Sequence, residues 1–407
     1  MAATRSRPDD IRAGASSEEP SPARPGGVPQ LASGTSQSAS ERGLGPGPSR
    51  SGRAGAITVG IVGATGYAGG ELVRLLLHHS GVRLAGLQGR NREDQPIAAS
   101  HPHLGATGLV VGRTIPEADA IFTALPHGAA AELAAAITAR GSALLDIGPD
   151  FRLHDPADYP RWYGFDHPAP ELLAAAVYGL PELHRDEIRA AADRPAAVIG
   201  LPGCYPTVAI LALAPLARAG LIGDLVVDAM SGVSGAGREL RQDLLFSEVN
   251  ESVRAYGMFT HRHTAEMEQE LGQQGERGGL GSRGANPGVA SVDFLPHLIP
   301  MTRGILATCH VRPTRPVTQA EVDAMYDEAY RDEPFVQVVA DPPSTRHVYG
   351  SNLCRIWARV DPRGSRILVL GVIDNLVKGA AGQAVQALNV LFGLPETTGL
   401  EQYPIAP

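Results

Sequence analysis

The sequence has 407 residues, enough for two domains of ordinary size, and its charge is mildly acidic, with 35 Lys and Arg against 43 Asp and Glu. No basic stripe favours nucleic acid, and no run of about 18 apolar residues indicates a membrane span. The three cysteines, Cys204, Cys309 and Cys354, lie far apart without metal-ligand spacing. These features speak against a disulfide scaffold and a zinc site, and they predict a protein of the reducing cytoplasm.

Residues 1–54 are rich in Ser, Pro, Gly, Ala and Arg and nearly lack large apolar side chains. Such a segment buries too little surface to offset its conformational entropy, so we expect a disordered extension. Its acidic residues weaken an interpretation as an organelle transit peptide. A start codon assigned too early is the other interpretation.

A β-rich run at residues 56–62 leads into a glycine turn and then into a helical pattern at 71–77. In a dinucleotide-binding turn, the first glycine permits the bend, the second lets the backbone approach the pyrophosphate, and the third lets helix pack on strand. The spacing is GxxGxxG rather than GxGxxG, so its position directly after the first strand strengthens the argument. The candidate pyrophosphate-binding residues are Gly63, Thr65, Gly66, Tyr67 and Gly69.

The second predicted strand, residues 82–87, ends before Arg90 and Arg92. An NAD site usually has an acid here for the ribose 2′-hydroxyl, whereas arginine accommodates the 2′-phosphate of NADP. The first acid after this strand is Glu93. The segment therefore favours NADP, and a solvated turn with incidental charge is the alternative.

Further strand–turn units follow at residues 120–125 and 143–147, and their turns contain His127, Asp150 and Arg152. Strands that alternate with helices imply a parallel sheet, which binds ligands at the carboxyl ends of its strands. Each of these three side chains could instead cap a helix or pair on the surface. Arg152 is the best candidate for contact with an anion.

Cys204 lies between an apolar β-like run at 196–199 and a helical pattern at 208–219. Pro206 suits the first helical position, which places the thiol about one residue ahead of a helix N-terminus. Amides and the positive dipole end there favour a thiolate, which is a nucleophile at neutral pH. The alternative is a buried cysteine that acts as a small apolar residue.

After a predicted strand at 225–230, residues 231–238 form a glycine-rich loop that ends in Arg238 and whose amides could face a phosphate or a cofactor ring. His261 and His263 follow, with acids nearby. A metal site with only these two histidines has thin support, and surface positions are possible. A general acid and base is the better use of one of them beside a candidate thiolate.

Two alternating segments, 306–311 and 355–360, predict an antiparallel sheet with one wet face, and they place Cys309 and Cys354 in the core. Residues 272–290 are glycine-rich and predict a mobile loop. A last apolar helix is expected from about 379 to 391.

Together these segments resemble the N-acetyl-γ-glutamyl-phosphate reductase family, the arginine-biosynthesis relatives of aspartate-semialdehyde dehydrogenase. The resemblance covers about residues 56–395 and rests on several separate motifs in order. The motifs are Gly63-Ala64-Thr65-Gly66-Tyr67, Leu125-Pro126-His127-Gly128, Pro202-Gly203-Cys204-Tyr205-Pro206-Thr207, residues 231–238, His261-Arg262-His263, residues 296–304 and residues 374–383.

The resemblance implies an NADPH-dependent reduction of an acyl phosphate to an aldehyde with release of phosphate. Cys204 would be the nucleophile, His263 the preferred acid and base, and His261 the second choice. Arg152 or Arg238 would neutralise the leaving phosphate. The nicotinamide would lie near Ser234, Gly235, Ala236, Gly237 and Asn375.

The resemblance also implies an α/β fold, with a Rossmann-type domain at 55–203 that the segment 374–407 completes. A catalytic and oligomerisation domain of α+β type, with a mixed or antiparallel sheet, is expected at 204–373, and the protein is expected to form a homodimer or homotetramer. Two departures from the family pattern stand out: Leu201 replaces an Asn, and residues 147–149 differ from the usual sequence.

Three alternative functions stay open at this point. Two are enzymes of the same superfamily, aspartate-semialdehyde dehydrogenase and a carrier-protein-linked reductase of lysine biosynthesis. The third is a non-catalytic NADP-binding regulator, for which Leu201 would be the first sign of lost activity.

Overall fold

The structure is a computed structural model that describes residues 55–405 apart from residues 91, 196, 277–290 and 364. The expected extension at 1–54 and most of the expected mobile loop at 272–290 lie outside the described residues. All described residues belong to one compact unit. None of the helices in this part of the chain has the length and apolar character needed to span a lipid bilayer.

The first sheet is built from the N-terminal part of the described chain, and all of its strand pairs are parallel. Its seven strands run in the spatial order β3-β2-β1-β4-β5-β7-β6. They are β1 (Ile57–Val62), β2 (Val82–Gln88), β3 (Val111–Gly112), β4 (Ala120–Thr123), β5 (Ala143–Asp146), β6 (Val177–Tyr178) and β7 (Val198–Gly200).

Helices cover this sheet, because the central strands are apolar along almost their whole length and need burial on both faces. Every residue of β4 and β5 is buried, for example. The associated helices are α1 (Tyr67–Leu76), α2 (Ala129–Thr138), α3 (Asp158–Tyr163), α4 (Pro170–Ala174) and α5 (Pro181–Ala191). The strand order reverses between β1 and β4, so the turns after these strands diverge and leave a crevice.

The second sheet is mixed, and its seven strands run in the order β12-β13-β14-β11-β8-β10-β9. The pairs β8–β10 and β12–β13 are parallel, and the other pairs are antiparallel. The strands are β8 (Ile222–Gly232), β9 (Arg254–Ala255), β10 (Asp293–Ile299), β11 (Ile305–Pro313), β12 (Val336–Val338), β13 (Cys354–Val360) and β14 (Ile367–Ile373). Together with the parallel first sheet, this confirms the expected fold class.

The remaining helices are α6 (Cys204–Arg218), α7 (Phe246–Val249), α8 (His263–Gly275), α9 (Gln319–Tyr330) and α10 (Gly382–Leu391). Helix α6 is apolar and buried on all sides from Tyr205 to Ala217, as expected for a helix enclosed by protein. It packs on the second sheet and on α8 and α9. Because β7 of the first sheet leads directly into α6, Cys204 lies where the two sheets meet.

The boundaries of α6 and of the last helix differ from the sequence predictions. Helix α6 begins at Cys204 with Gly203 as its N-cap, so Pro206 is its third residue and the thiol lies inside the first turn. The final helix begins with a π-helical turn, Val377–Ala381, before α10. Asp374 accepts hydrogen bonds from the Leu376 and Val377 amides, which fixes the start of that turn.

Cys309 and Cys354 are fully buried in the apolar cluster of the second sheet, which confirms their expected place in the core. Residues of α10 share a second cluster with β1 and α1. The C-terminal helix therefore packs on the first sheet although it follows the second in the chain.

Candidate active site

The glycine turn after β1 is held close to its neighbours. Gly63 has φ +93°, and a Cβ there would lie 2.3 Å from the Ala124 carbonyl oxygen. A Cβ on Gly69 would lie 2.3 Å from the Gly63 oxygen, so α1 approaches the turn as the fingerprint requires. Helix α1 has Gly66 as its N-cap without a capping side chain, which leaves amides for an anion. Tyr67, its first residue, is 40 % exposed.

The two arginines after β2 lie at the surface. Arg90 is exposed and lines a cavity together with His127 and Gly128 at the start of α2. Arg92 is exposed and donates a hydrogen bond from Nη1 to Gln95 Oε1 at 3.1 Å. Their guanidinium groups are therefore available to a ligand at the carboxyl end of β2.

The glycine-rich loop after β8 forms a short 3-10 turn, Val233–Ala236. Asn375 fixes it, because its Nδ2 donates to Ser234 Oγ at 2.9 Å and its Oδ1 accepts from the Gly304 amide at 2.7 Å. The Asn375 side chain is thus engaged with protein groups and positions the loop. Gly235 and Ala236 line the same cavity as Cys204.

The structure does not bring Arg238 together with Cys204. Arg238 Nη1 donates to the Thr65 carbonyl at 3.1 Å, and its guanidinium lies 5.8 Å from the centre of the Tyr67 ring. It lines a second cavity with Ser234 and Gly237 beside the glycine turn. Arg238 is therefore better placed to contact the pyrophosphate than the leaving phosphate, which is the role expected from the sequence.

Cys204 lies on the wall of the main cavity, whose volume is about 620 Å³. The π-helical turn supports it from behind, since a Cβ on Gly379 would lie 2.8 Å from Cys204 Cβ. Burial raises the pKa of the Cys204 thiol to about 11, and the charge of Arg152 and the Tyr205 amide only partly oppose this. Burial therefore opposes the thiolate that the sequence predicted, and the Cys204 thiol needs a base.

His263 is the histidine beside the cysteine turn. A Cβ on Gly203 would lie 2.4 Å from His263 Nε2, so the ring rests against the residue that precedes Cys204. Burial, reinforced by the charges of His261 and the nearby arginines, holds the pKa of His263 well below its ordinary value. The imidazole is neutral at pH 7 and can accept a proton.

His261 lies beside His263 on the wall of the main cavity. Its ring centre lies 4.7 Å from that of His263, and its Nδ1 accepts from the His263 amide at 3.2 Å. Burial lowers the pKa of His261 to about 4. Since Nδ1 accepts a hydrogen bond, the neutral ring carries its proton on Nε2 and acts as a donor. The two histidines, of which the sequence favoured His263 without separating them firmly, thus lie in different hydrogen-bonding states.

Arg152 is buried under the cysteine turn. Its Nε donates to the Leu201 carbonyl at 2.7 Å and its Nη2 to the Ile147 carbonyl at 2.8 Å. Its Nη1 lies 3.4 Å from His263 Nε2 and 3.6 Å from Glu266 Oε2. Arg152 therefore joins the loop after β5, the cysteine turn and α8, and it also lines the main cavity.

Glu266 is a functional candidate that the sequence reasoning missed. Its Oε1 accepts from the Gly203 amide at 2.8 Å and from the Tyr178 hydroxyl at 2.7 Å, and the side chain is fully buried. Burial raises the pKa of Glu266, whereas the nearby Arg152 opposes that rise. The available signal was its position three residues after His263, which places both on one face of α8.

The departure at Leu201 is accommodated by packing. The Leu201 side chain is fully buried, and a Cβ on Gly179 would lie 2.6 Å from its Cδ2. The contact with Arg152 uses the main-chain carbonyl of Leu201, which any residue supplies. Loss of the family Asn therefore leaves the Arg152 anchor intact.

Asp150, which follows β5, is a helix cap rather than a ligand. Its carboxylate accepts hydrogen bonds from the amides of Gly128, Ala130 and Ala131 at the start of α2. Asp146 accepts from the Gly148 and Asp150 amides. The altered residues 147–149 therefore keep a hydrogen-bonded loop.

Besides Arg152, the main cavity contains three arginines to which the sequence had assigned no role. It is lined by four arginines and one aspartate, namely Arg152, Arg241, Arg254, Arg262 and Asp243. Their separation along the chain gave no signal, since strand β9 and the segments beside it bring Arg241 and Arg254 to the cavity. Such a lining favours a ligand with more than one negative charge.

Two protein-family models match most of the described chain. Residues 58–191 match the NAD binding domain of semialdehyde dehydrogenase, and residues 204–375 match the semialdehyde dehydrogenase dimerisation domain. A protein of Symbiobacterium thermophilum named N-acetyl-gamma-glutamyl-phosphate reductase is 49% identical over 354 residues, with 84% of this chain and 97% of that protein covered. The enzyme of the same name from Heliobacterium modesticaldum is 47% identical, with 86% and 100% covered.

The chain belongs to the N-acetyl-gamma-glutamyl-phosphate reductase family, within the semialdehyde dehydrogenases. Solved structures similar to it include aspartate semialdehyde dehydrogenases. The Vibrio cholerae enzyme II, complexed with ASA, has a TM-score of 0.60 at 18% identity and covers 83% of this chain and 98% of its own. The Candida albicans enzyme with NADP has a TM-score of 0.59 at 16% identity, with 83% and 98% covered. At these identities the likeness concerns the fold.

Proposed function

We propose that the protein reduces N-acetyl-L-glutamyl 5-phosphate to N-acetyl-L-glutamate 5-semialdehyde with NADPH and releases phosphate, as a step of arginine biosynthesis. The observation that carries the proposal is the joint position of Cys204, His263 and Arg152 on one cavity wall, in a chain whose relatives carry that enzyme name. A carboxylate does not accept hydride at neutral pH, whereas an acyl phosphate is an activated form.

NADPH fits the residues of the first sheet. A Cβ on Gly69 would collide with the Gly63 carbonyl, so glycine there lets α1 approach the turn, and the uncapped N-terminus of α1 suits a pyrophosphate. Arg90 and Arg92 would hold the 2′-phosphate, and the loop that Asn375 fixes would lie beside the nicotinamide. When bound, the cofactor supplies the hydride.

The first step is carried by the cysteine turn. His263 takes the proton from the Cys204 thiol, and the sulfur forms a bond to the acyl carbon while the bond from that carbon to the phosphate oxygen breaks. Glu266 holds the Gly203 amide and so fixes the turn during the attack. The charge of Arg152 stabilises both the thiolate and the departing phosphate.

The thioester that results accepts hydride at its carbonyl carbon and a proton from water at its oxygen, and becomes a hemithioacetal. As this collapses, the hydroxyl proton passes to water, the carbon–sulfur bond breaks and protonated His263 returns its proton to the sulfur. His261, with Nε2–H as a donor, is placed to stabilise the developing oxyanion. The products are the aldehyde and phosphate, and the Cys204 thiol is restored.

The charge of the cavity supports an N-acylated substrate. An N-acetyl group removes the ammonium charge of a free amino acid, so the substrate offers only negative charges, on its phosphate and its α-carboxylate. Four arginines against one aspartate complement such a molecule.

We further propose a homodimer or homotetramer that assembles through the outer face of the second sheet. The family model that matches residues 204–375 is described as a dimerisation domain, and α6 and α9 pack with the buried side chains of the second sheet in one apolar cluster. A row of half-buried side chains crosses five strands there, formed by Leu295, Asp228, Thr308, Leu370 and Trp357. All three cysteines are free, which is compatible with assembly in the reducing cytoplasm.

The direct test follows NADP reduction with N-acetylglutamate 5-semialdehyde and phosphate. We expect phosphate-dependent formation of NADPH, which the Cys204→Ser variant loses almost completely while it keeps NADPH affinity. Turnover with aspartate semialdehyde alone would overturn the substrate assignment. A Ser variant that retained more than a few per cent of activity would contradict the covalent mechanism.

A further inference from the structure

One hydroxyl on the wall of the main cavity lacks a partner. Tyr163 is the last residue of α3, and its side chain is only 7% exposed. Its hydroxyl is buried and has no hydrogen-bond partner of acceptable geometry among the described residues, although the Arg152 guanidinium lies close enough to act on its pKa. A buried phenol normally satisfies its hydroxyl, so an unpaired one on a residue that lines a cavity points to a ligand.

Arg262 covers the same tyrosine ring. Its guanidinium carbon lies 5.5 Å from the centre of the Tyr163 ring, and its Nη1 lies 2.9 Å from His127 Nδ1. Within the described part of the chain, no carboxylate lies within ion-pair distance of Arg262. The guanidinium therefore contributes an uncompensated positive charge beside the unpaired hydroxyl.

Arg241 and Arg254, which also line the cavity, are already paired with an acidic side chain. Arg241 makes a two-pronged contact with Asp243, and Arg254 donates to the same carboxylate at 2.9 Å. A ligand that used these two groups would compete with Asp243. Arg262 and Tyr163 offer donors that need not first give up an acidic partner.

We propose that Tyr163 and Arg262 form a carboxylate-binding subsite, which takes the α-carboxylate of the acyl substrate while its activated carbon faces Cys204. The inference rests on the proposed function, since it assigns one anionic group of that substrate. Tyr163 supplies a neutral O–H donor, and Arg262 supplies charge and a planar fork. Burial raises the pKa of Tyr163, so the phenol keeps its proton at every working pH.

The subsite gives a reason for selecting N-acylated substrates. A free α-ammonium group next to a carboxylate bound here would lie close to the Arg262 guanidinium and would be repelled by it. An acetamido group carries no charge and avoids that cost. Arg262 thus acts on specificity, whereas Cys204 and His263 act on the reaction itself.

The test compares two aldehydes in the NADP-reducing direction with Tyr163→Phe, which keeps the ring under Arg262. The aldehydes are N-acetylglutamate 5-semialdehyde and 4-acetamidobutanal, which lacks only the α-carboxylate. We expect KM for the first to rise about 10- to 100-fold, as for loss of a hydrogen bond to a charged group. KM for 4-acetamidobutanal and for NADP should stay as in wild type.

Tyr159→Phe is the matched control. Tyr159 stacks on Tyr163 with ring centres 5.4 Å apart, but its hydroxyl donates to the Asp150 carbonyl at 2.7 Å. A purely structural effect would move both aldehydes equally in either variant. Arg262→Gln should show the same discrimination as Tyr163→Phe, whatever its effect on kcat.

The outcomes separate this inference from the proposed function. If the wild type turns over N-acetylglutamate 5-semialdehyde, the proposed function stands. The subsite is overturned if Tyr163→Phe leaves KM for that aldehyde unchanged, or if the variant loses activity equally on both aldehydes. Wild-type activity only with aspartate semialdehyde would overturn the function. The subsite would then be judged by the same comparison between aspartate semialdehyde and 3-aminopropanal.

Discussion

Cys204 is subject to two opposing influences. The first turn of α6 and the Arg152 charge favour its thiolate, whereas its buried surroundings favour the thiol and win in the unliganded protein. This arrangement keeps Cys204 as a thiol until His263 takes its proton in the presence of substrate. The cost is that His263 must accept the proton during the reaction.

Alkylation by iodoacetamide measures this directly. Because the pKa of Cys204 is raised to about 11, the thiolate fraction should increase about tenfold for each pH unit between roughly pH 7 and 9.5. Cys204→Ser should remove the labelling, since Cys309 and Cys354 are buried and the pKa of each is raised to about 12. A rate that levelled off near pH 8 would contradict the raised pKa.

Glu266 acts through the Gly203 amide and not on the substrate, so it is a positioning residue. Glu266→Ala would leave that amide, the Tyr178 hydroxyl and the Arg152 charge unsatisfied, and we expect kcat to fall at least about 100-fold together with the melting temperature. Glu266→Gln keeps an acceptor oxygen and should restore most of the activity.

Glu266→Gln has a second expected effect, which a purely structural role would not produce. The carboxylate of Glu266 is one of the groups that raise the pKa of Cys204. Removing its charge should therefore shift the pH dependence of alkylation towards lower pH. An unchanged profile in Glu266→Gln would remove the electrostatic part of this role.

At the scale of elements, the π-helical turn before α10 sets the depth of the cysteine turn. A Cβ on Gly379 would lie 2.8 Å from Cys204 Cβ and 3.2 Å from its Cα, where only backbone movement can make room. π-Helical turns are often found at functional sites. The wide turn here brings a side-chain-free residue against α6.

Gly379→Ala tests this contact. We expect kcat to decrease at least about tenfold, because the cysteine turn must shift, with a loss of stability of about 1–3 kcal/mol from overpacking. Gly272→Ala is the control: Gly272 lies inside α8 with no heavy atom within 4 Å of an added Cβ. That change should keep kcat and slightly raise the melting temperature. Wild-type kcat in Gly379→Ala would contradict the proposed support.

At the scale of the whole molecule, one face of the second sheet carries the proposed assembly. Leu370→Arg places a charge within the row that crosses five strands, and we expect the protein to dissociate to monomers in light scattering. Leu77→Arg is the control, since Leu77 is 41% exposed beyond the end of α1 on the first sheet. Unchanged mass for Leu370→Arg would refute this interface.

Local patterns determined much of this protein. The strand–glycine–helix succession, the alternating strands and the apolar helix after Cys204 follow from steric rules and side-chain periodicity, which act over a few residues. The same patterns selected Cys204, both histidines and Arg152, because these residues lie at turns beside recognisable elements. The family followed from the order of the motifs.

Only the tertiary structure decided the electrostatic state of the site. The raised pKa of Cys204, the hydrogen bonds of Glu266, the separate states of His261 and His263, and the displacement of Arg238 towards the glycine turn depend on groups far apart in the chain. Burial and charge–charge interactions are set by distances in space, and sequence spacing does not encode them. For the same reason, the unpaired Tyr163 hydroxyl beside Arg262 became visible only once α3 and α8 were packed around one cavity.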